Sequence, residues 1–122
     1  MPGPMPQRLQ LTRRKGFDLQ AHSLALNGLP ARSIARPGPW GNPFAAEDMG
    51  LADRVAAQAK AVGLYRRWVT GEPGLGPKAP PALETIIREL GGHNLACWCA
   101  PGTPCHADVL LAMANSENAE KR

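Results

Sequence analysis

All three cysteines of the chain fall in the nine residues Cys97-Trp98-Cys99-Ala100-Pro101-Gly102-Thr103-Pro104-Cys105, with His106 and Asp108 directly behind them. Thiols, an imidazole and a carboxylate this close point to one of two chemistries. The first is metal binding. Zinc is held in four-coordinate sites by thiolate sulfur and imidazole nitrogen, and Cys97, Cys99, Cys105 and His106 supply such a Cys₃His set. On a strand, residues 97 and 99 point to one face and Trp98 to the other. The spacing is not that of a paired zinc motif, because C-x₂-C is absent and the adjacent Cys105 and His106 diverge from one helical turn.

The second chemistry is that of a reactive thiol or an anion site. A cysteine in the first turn of a helix feels the positive end of the macrodipole, which lowers its pKa. Cys105, His106 and Asp108 then read as catalytic groups, a nucleophile with partners for proton transfer. The same helix N-terminus binds a phosphate without any covalent step. Plain packing stands against both, since a free cysteine behaves as a small hydrophobe and is often buried. His106 resists that third reading, because a buried imidazole needs a polar partner.

These groups need elements to hold them. Leu95 to Cys99 reads as a short strand after Gly91-Gly92, and Pro101-Gly102 as a turn. Thr103 is a good N-cap and Pro104 suits the first helical position, so a helix is expected through Val109, Leu110, Met113 and Ala114. Such a strand–loop–helix unit is a common place for a ligand. Upstream, Gln7 to Arg13 alternates with Leu9 and Leu11 on one side, the pattern of a half-buried strand. Residues 17–31 are weakly patterned and read mainly as loop, and Ser33 to Arg36 as a second short strand.

Arg36-Pro37-Gly38-Pro39-Trp40-Gly41-Asn42-Pro43-Phe44 packs three prolines and two glycines into nine residues, which excludes regular structure. Its aromatics either anchor a stiff turn or meet a ligand. In the second case Arg36 neutralises a phosphate, Trp40 or Phe44 stacks, and Asn42, beside Gly41, orients a polar edge. A helix follows from Asp53 to Gly71, with Val55, Ala59, Val62, Tyr65 and Val69 on one face and Tyr65 and Trp68 as core. Residues 71–81 form a Pro/Gly linker, and a further helix from Pro81 carries the stripe Leu83, Ile86, Ile87, Leu90. The fold expected is a small single-domain α/β protein over residues 7–115, helices packed on a short sheet, with parallel pairing at the cysteine strand. Residues 1–6 are expected to be disordered and 116–122 to form a frayed tail.

No apolar run approaches the roughly 20 residues of a membrane helix. The Pro-rich start lacks the pattern of a secretory signal, and three cysteines in such a chain argue for reduced thiols and a cytoplasmic location. The net charge of +4 is uneven: residues 1–44 carry six basic side chains against one acidic, and the rest is close to neutral. That basic N-terminal third suits an anionic partner, either phosphate, nucleotide or nucleic acid.

Taken together, Arg36-Pro37, Trp40-Gly41-Asn42-Pro43-Phe44, Tyr65-Arg66-Arg67-Trp68, Leu95-Ala96-Cys97-Trp98-Cys99 and Pro104-Cys105-His106-Ala107-Asp108-Val109-Leu110-Leu111 resemble the domain-of-unknown-function family 4326. The resemblance covers about residues 8 to 115, and the long linker at 71–81 departs from the family pattern. The family, found in bacteria and phages, comprises small stand-alone domains and carries no activity over. It does imply one site formed by Trp40, Gly41, Asn42, Pro43 and Phe44 with Cys97, Cys99, Cys105 and His106. The function expected is binding, with hydrolytic or transfer processing, of a nucleotide-like or other anionic small molecule between the Trp40–Phe44 loop and the Cys97–Asp108 segment. The alternative is a zinc-stabilised module that contacts nucleic acid or protein through its basic N-terminal third.

Overall fold

Three short strands and four helices make up the described residues, 5–36, 38–76 and 78–120 (side chains through 115), of the computed structural model. In chain order they are β1 (Arg8–Gln10), α1 (Leu19–Asn27), β2 (Ala31–Ser33), α2 (Arg54–Val69), α3 (Leu83–Leu90), β3 (Asn94–Cys97) and α4 (His106–Glu120), with a 3-10 turn at Ala46–Asp48 before α2. Expectations that touch residues 1–4, 37, 77 and 121–122 lie outside the described residues. The architecture is α/β, and all pairing is parallel in the order β1-β3-β2.

The central strand is β3, and all four of its residues are buried. A strand covered on both faces has no need of alternation, and its two faces do different things. Leu95 and Cys97 enter the main core with Tyr65, Trp68, Ile86 and Leu110. Ala96 meets Leu9 and Ala31 in a smaller cluster on the other face. There the Asn94 side chain donates to Ser23 Oγ (2.7 Å) and Asn27 Oδ1 (2.8 Å) and accepts from the Gln7 backbone N–H (2.8 Å). A buried amide satisfied on three sides locks the start of β3 against α1 and β1.

Several boundaries differ from the sequence expectation. Residues 19–27 are helical, not loop. Asp18 caps α1 by accepting from the Ala21 N–H, and Gly28 closes it with a left-handed φ of 80°, a conformation that costs glycine little. Ser23 is the one buried residue of α1, so no apolar stripe announces it. β2 lies two residues earlier than expected, because Ala31, Arg32 and Ser33 are the residues in register with Asn94, Leu95 and Ala96. α2 has the expected span, but its inner face is Ala57, Ala61, Tyr65, Trp68 and Val69, while Val55 is exposed. The linker is not slack either: Trp68 Nε1 donates to the Lys78 carbonyl at 2.8 Å. α4 continues to Glu120, past Ser116 where the sequence starts its tail. No helix among the described residues is long and apolar enough to cross a membrane.

Candidate functional site

The loop after β3 is shaped by Arg8, three-quarters of the chain away. Its guanidinium donates to the Thr103 carbonyl (2.8 Å), the Ala100 carbonyl (2.9 Å) and Asp108 Oδ2 (2.9 Å). Its side chain is only 13% exposed, the bonds to Ala100 and Asp108 lie at the surface, and together the three hold the loop on the end of β1. Helix α4 starts at His106, later than the Thr103-Pro104 signal suggests. The Thr103 hydroxyl instead donates to the Ala100 carbonyl (2.6 Å) and closes the turn. Cys105 takes over the capping position: its carbonyl accepts from the Asp108 N–H (3.1 Å) and its sulfur from the Ala107 N–H (3.5 Å).

This loop brings the three thiols together. The sulfurs of Cys97, Cys99 and Cys105 all lie within 4.8 Å of one another. Cys97 and Cys105 are buried with their sulfurs 2.9 Å apart, and Cys99 is half-buried. Hydrogen bonds from Cys105 and Cys97 hold the Cys99 thiol far below the usual thiol range, with His106 and Arg8 adding to the effect. Cys97, which donates to Cys99, is pushed up to about 11, and Cys105 is raised by its bonds to both neighbours and by burial. His106 is buried against Tyr65 and bonds through Nε2 to the Ile34 carbonyl at 2.9 Å. A carbonyl only accepts, so Nε2 carries the proton and Nδ1 is left as an acceptor, 3.9 Å from Cys105 Sγ. Burial pushes the His106 pKa down and keeps the ring neutral. His106 lies outside the group of donor atoms within 4.8 Å of one another.

A cavity of about 190 Å³ opens beside the cluster, lined among others by Arg36, Asn42, Phe44, Gln58, Cys99 and His106. It lies between the Trp40–Phe44 loop and the cysteine segment. The loop residues contribute to it unequally. Trp40 is buried in the core, its carbonyl accepts from the Tyr65 hydroxyl (3.1 Å), and it is not part of the cavity wall. Asn42 donates to the Ala61 carbonyl (3.2 Å) and accepts from the Phe44 N–H (2.8 Å), so its amide is spent on folding the loop. Gly41 is required by contact: a Cβ there would stand 2.5 Å from Arg36 Cγ. Phe44 meets Trp68 edge-on and forms part of the wall. Arg36 is exposed and has no ion pair among the described residues.

Cys105 and His106 are thus brought together, but Asp108 is not with them. It pairs with Arg8 on an open groove of about 550 Å³ reached by Cys99 from its other side. Asp108 and the Cys105–His106 pair therefore do not converge on one reacting atom. Sequence reasoning missed Arg8 and Gln58 as site residues. Arg8 counted there only as surface charge, and nothing in its neighbours signals an inward path.

Comparison with curated proteins and with solved structures gives no match. A family model described as "Domain of unknown function (DUF4326)" matches residues 20–116, from the start of α1 into α4 and without β1. That span holds both loops, all three cysteines and His106, and the chain belongs to this family.

Proposed function

We propose that Cys97, Cys99 and Cys105 hold a zinc ion, with His106 Nδ1 as the fourth donor, and that the adjoining cavity binds an anionic, nucleotide-like small molecule through Arg36. One observation carries this: three sulfurs lie within 4.8 Å of one another, and two of them, Cys97 and Cys99, share a cavity wall with an arginine that has no ion pair among the described residues. Zinc–sulfur bonds of about 2.3 Å put two sulfurs of one tetrahedron about 3.8 Å apart. The Cys97–Cys105 pair, at 2.9 Å, must part to admit the ion, and His106 Nδ1, outside the 4.8 Å group, must move in to complete the set. The His106 ring is held as metal-bound imidazoles are, with its second nitrogen bonded to a carbonyl. A zinc held this way supplies structure, tying β3 to the start of α4. It also cancels most of the thiolate charge that would otherwise repel an anion from the cavity.

Elemental analysis paired with thiol titration tests the metal. The expected result is one zinc per chain and three thiols unmasked by a chelator, with Cys97→Ser, Cys99→Ser and Cys105→Ser each losing the zinc. His106→Gln should weaken zinc binding without abolishing it, since three thiolates remain. Calorimetry with ribose 5-phosphate tests the cavity. Binding should fall at least tenfold in Arg36→Ala and after chelation. Absence of metal with three inert thiols would overturn the metal half, and absence of binding would overturn the other.

A second reading rests on Cys99, which is half-exposed, lines the cavity and carries the lowered thiol pKa. In a metal-free protein Cys99, not the buried Cys105, is the nucleophile for hydrolytic or transfer chemistry. A single fast-alkylating thiol that maps to Cys99 in metal-free protein as purified would favour it.

A further inference from the structure

We infer that Trp98 is the platform on which the ligand's planar ring stacks, so that the site takes a nucleoside phosphate and not merely a sugar phosphate. This rests on the reading of the cavity as an anion site. The cavity, at about 190 Å³, is below the roughly 300 Å³ where pockets for drug-sized ligands begin. It has room for a phosphate and part of a sugar. The rest of a nucleotide must leave through an open side, and one such side is visible. A groove of about 630 Å³ shares Ala46, Gln58, Trp98 and Cys99 with the cavity, so the two form one cleft with Cys99 at its waist.

The groove suits a flat apolar group. Trp98 is 47% exposed, whereas Trp40 and Trp68 are buried. Leu51 and Val55, also exposed, line the same groove from the segment that enters α2. Arg13 stands over the Trp98 ring, its guanidinium carbon 4.9 Å from the ring centre. That cation holds the indole in place and leaves its other face for a partner. Charge sets the direction of the ligand. The groove carries Glu47 together with Arg54, which offset each other, while Arg36 is the one arginine or lysine on the cavity wall. The anionic end therefore belongs in the cavity and the ring in the groove. Every nucleobase offers a π-face, so the stacking sets a class of ligand and not one base.

The test compares adenosine 5′-monophosphate, ribose 5-phosphate and inorganic phosphate by calorimetry on the purified, zinc-loaded protein. The nucleotide should bind roughly 5- to 100-fold more tightly than ribose 5-phosphate. Trp98→Ala should erase that advantage while ribose 5-phosphate still binds, and Trp98→Phe should keep most of it. Equal affinity of the wild-type protein for the nucleotide and the sugar phosphate would overturn the stacking role while leaving the anion site standing. A Trp98→Ala protein that loses both ligands equally, with Trp98→Phe doing the same, would make Trp98 a support of the loop and overturn it too. If none of the three probes binds, the cavity reading falls and the inference with it.

Discussion

Trp40 and Trp98 sit in the two loops that flank the same cavity, and they are used in opposite ways. Residues 40–44 turn inward: Trp40 is core, Asn42 spends its amide on Ala61 and Phe44, and Gly41 makes room for the stem of Arg36. The loop of residues 98–105 is held from outside by Arg8, which binds its backbone carbonyls and leaves Trp98 exposed and Cys99 on the cavity wall. One loop is a wall that stabilises itself; the other is a mount whose fixings come from β1. The same residue type is a buttress in the first and a surface in the second. What separates them is where each loop's hydrogen bonds are made.

Stability measurements can break that contrast. Trp40→Ala should destabilise the protein by about 3–5 kcal/mol in urea unfolding, as large core truncations do. Trp98→Ala should cost no more than about 1 kcal/mol, the lost contact with Arg13 included. Equal costs would erase the distinction. Asn42→Ala comes next, at about 1–2 kcal/mol, because it removes the bond to the Ala61 carbonyl and leaves the part-buried Phe44 N–H without its acceptor.

Arg8→Met should cost about 1–2 kcal/mol and also speed alkylation of Cys99 in chelated protein, since the mount loosens. Asp108→Asn removes only the exposed partner of that arginine and should cost at most about 1 kcal/mol. A loss at Asp108 as large as that at Arg8 would mean that the ion pair, not the carbonyl bonds, holds the loop. The smallest effect concerns pH. The His106 pKa is depressed by burial, so the unfolded chain binds its proton first as pH falls. The stability it contributes is complete above the ordinary value of 6.5 and drains away below it, toward the lower folded value. Urea midpoints from pH 8 to 5 should slope downward in the wild-type apo-protein, and His106→Gln should flatten that slope.

The site was more legible in the sequence than the scaffold. Thiols, an imidazole and aromatic turns are rare residues in rare patterns, and chemistry constrains them locally. The long helices were legible for a related reason, since sixteen residues of α2 leave a periodic trace even with the stripe misplaced. α1 was not, because it covers a face made of Leu9, Ala31 and Ala96, and a helix over so small a cluster buries little. Its caps, Asp18 and Gly28, were readable, but capping alone is a weak signal without an apolar face. The misjudged residues of the site share one cause. Arg8 turns inward, Trp40 is swallowed by the core, and Asp108 faces away from Cys105; each depends on where a distant segment lies, which local pattern does not encode.

The order of strands has a consequence for how the chain is made. β1 and β2 are not paired with each other; each pairs only with β3, which lies more than sixty residues beyond β2 in the sequence. A nascent chain therefore carries two strand segments with no ladder to join until residue 97 has left the ribosome, and its sheet cannot grow hairpin by hairpin. The segment that closes the sheet also ends in Cys97, with Cys99 and Cys105 following at once. Completion of the fold and assembly of the thiol cluster are thus one late event in synthesis, and a chain arrested before it has neither.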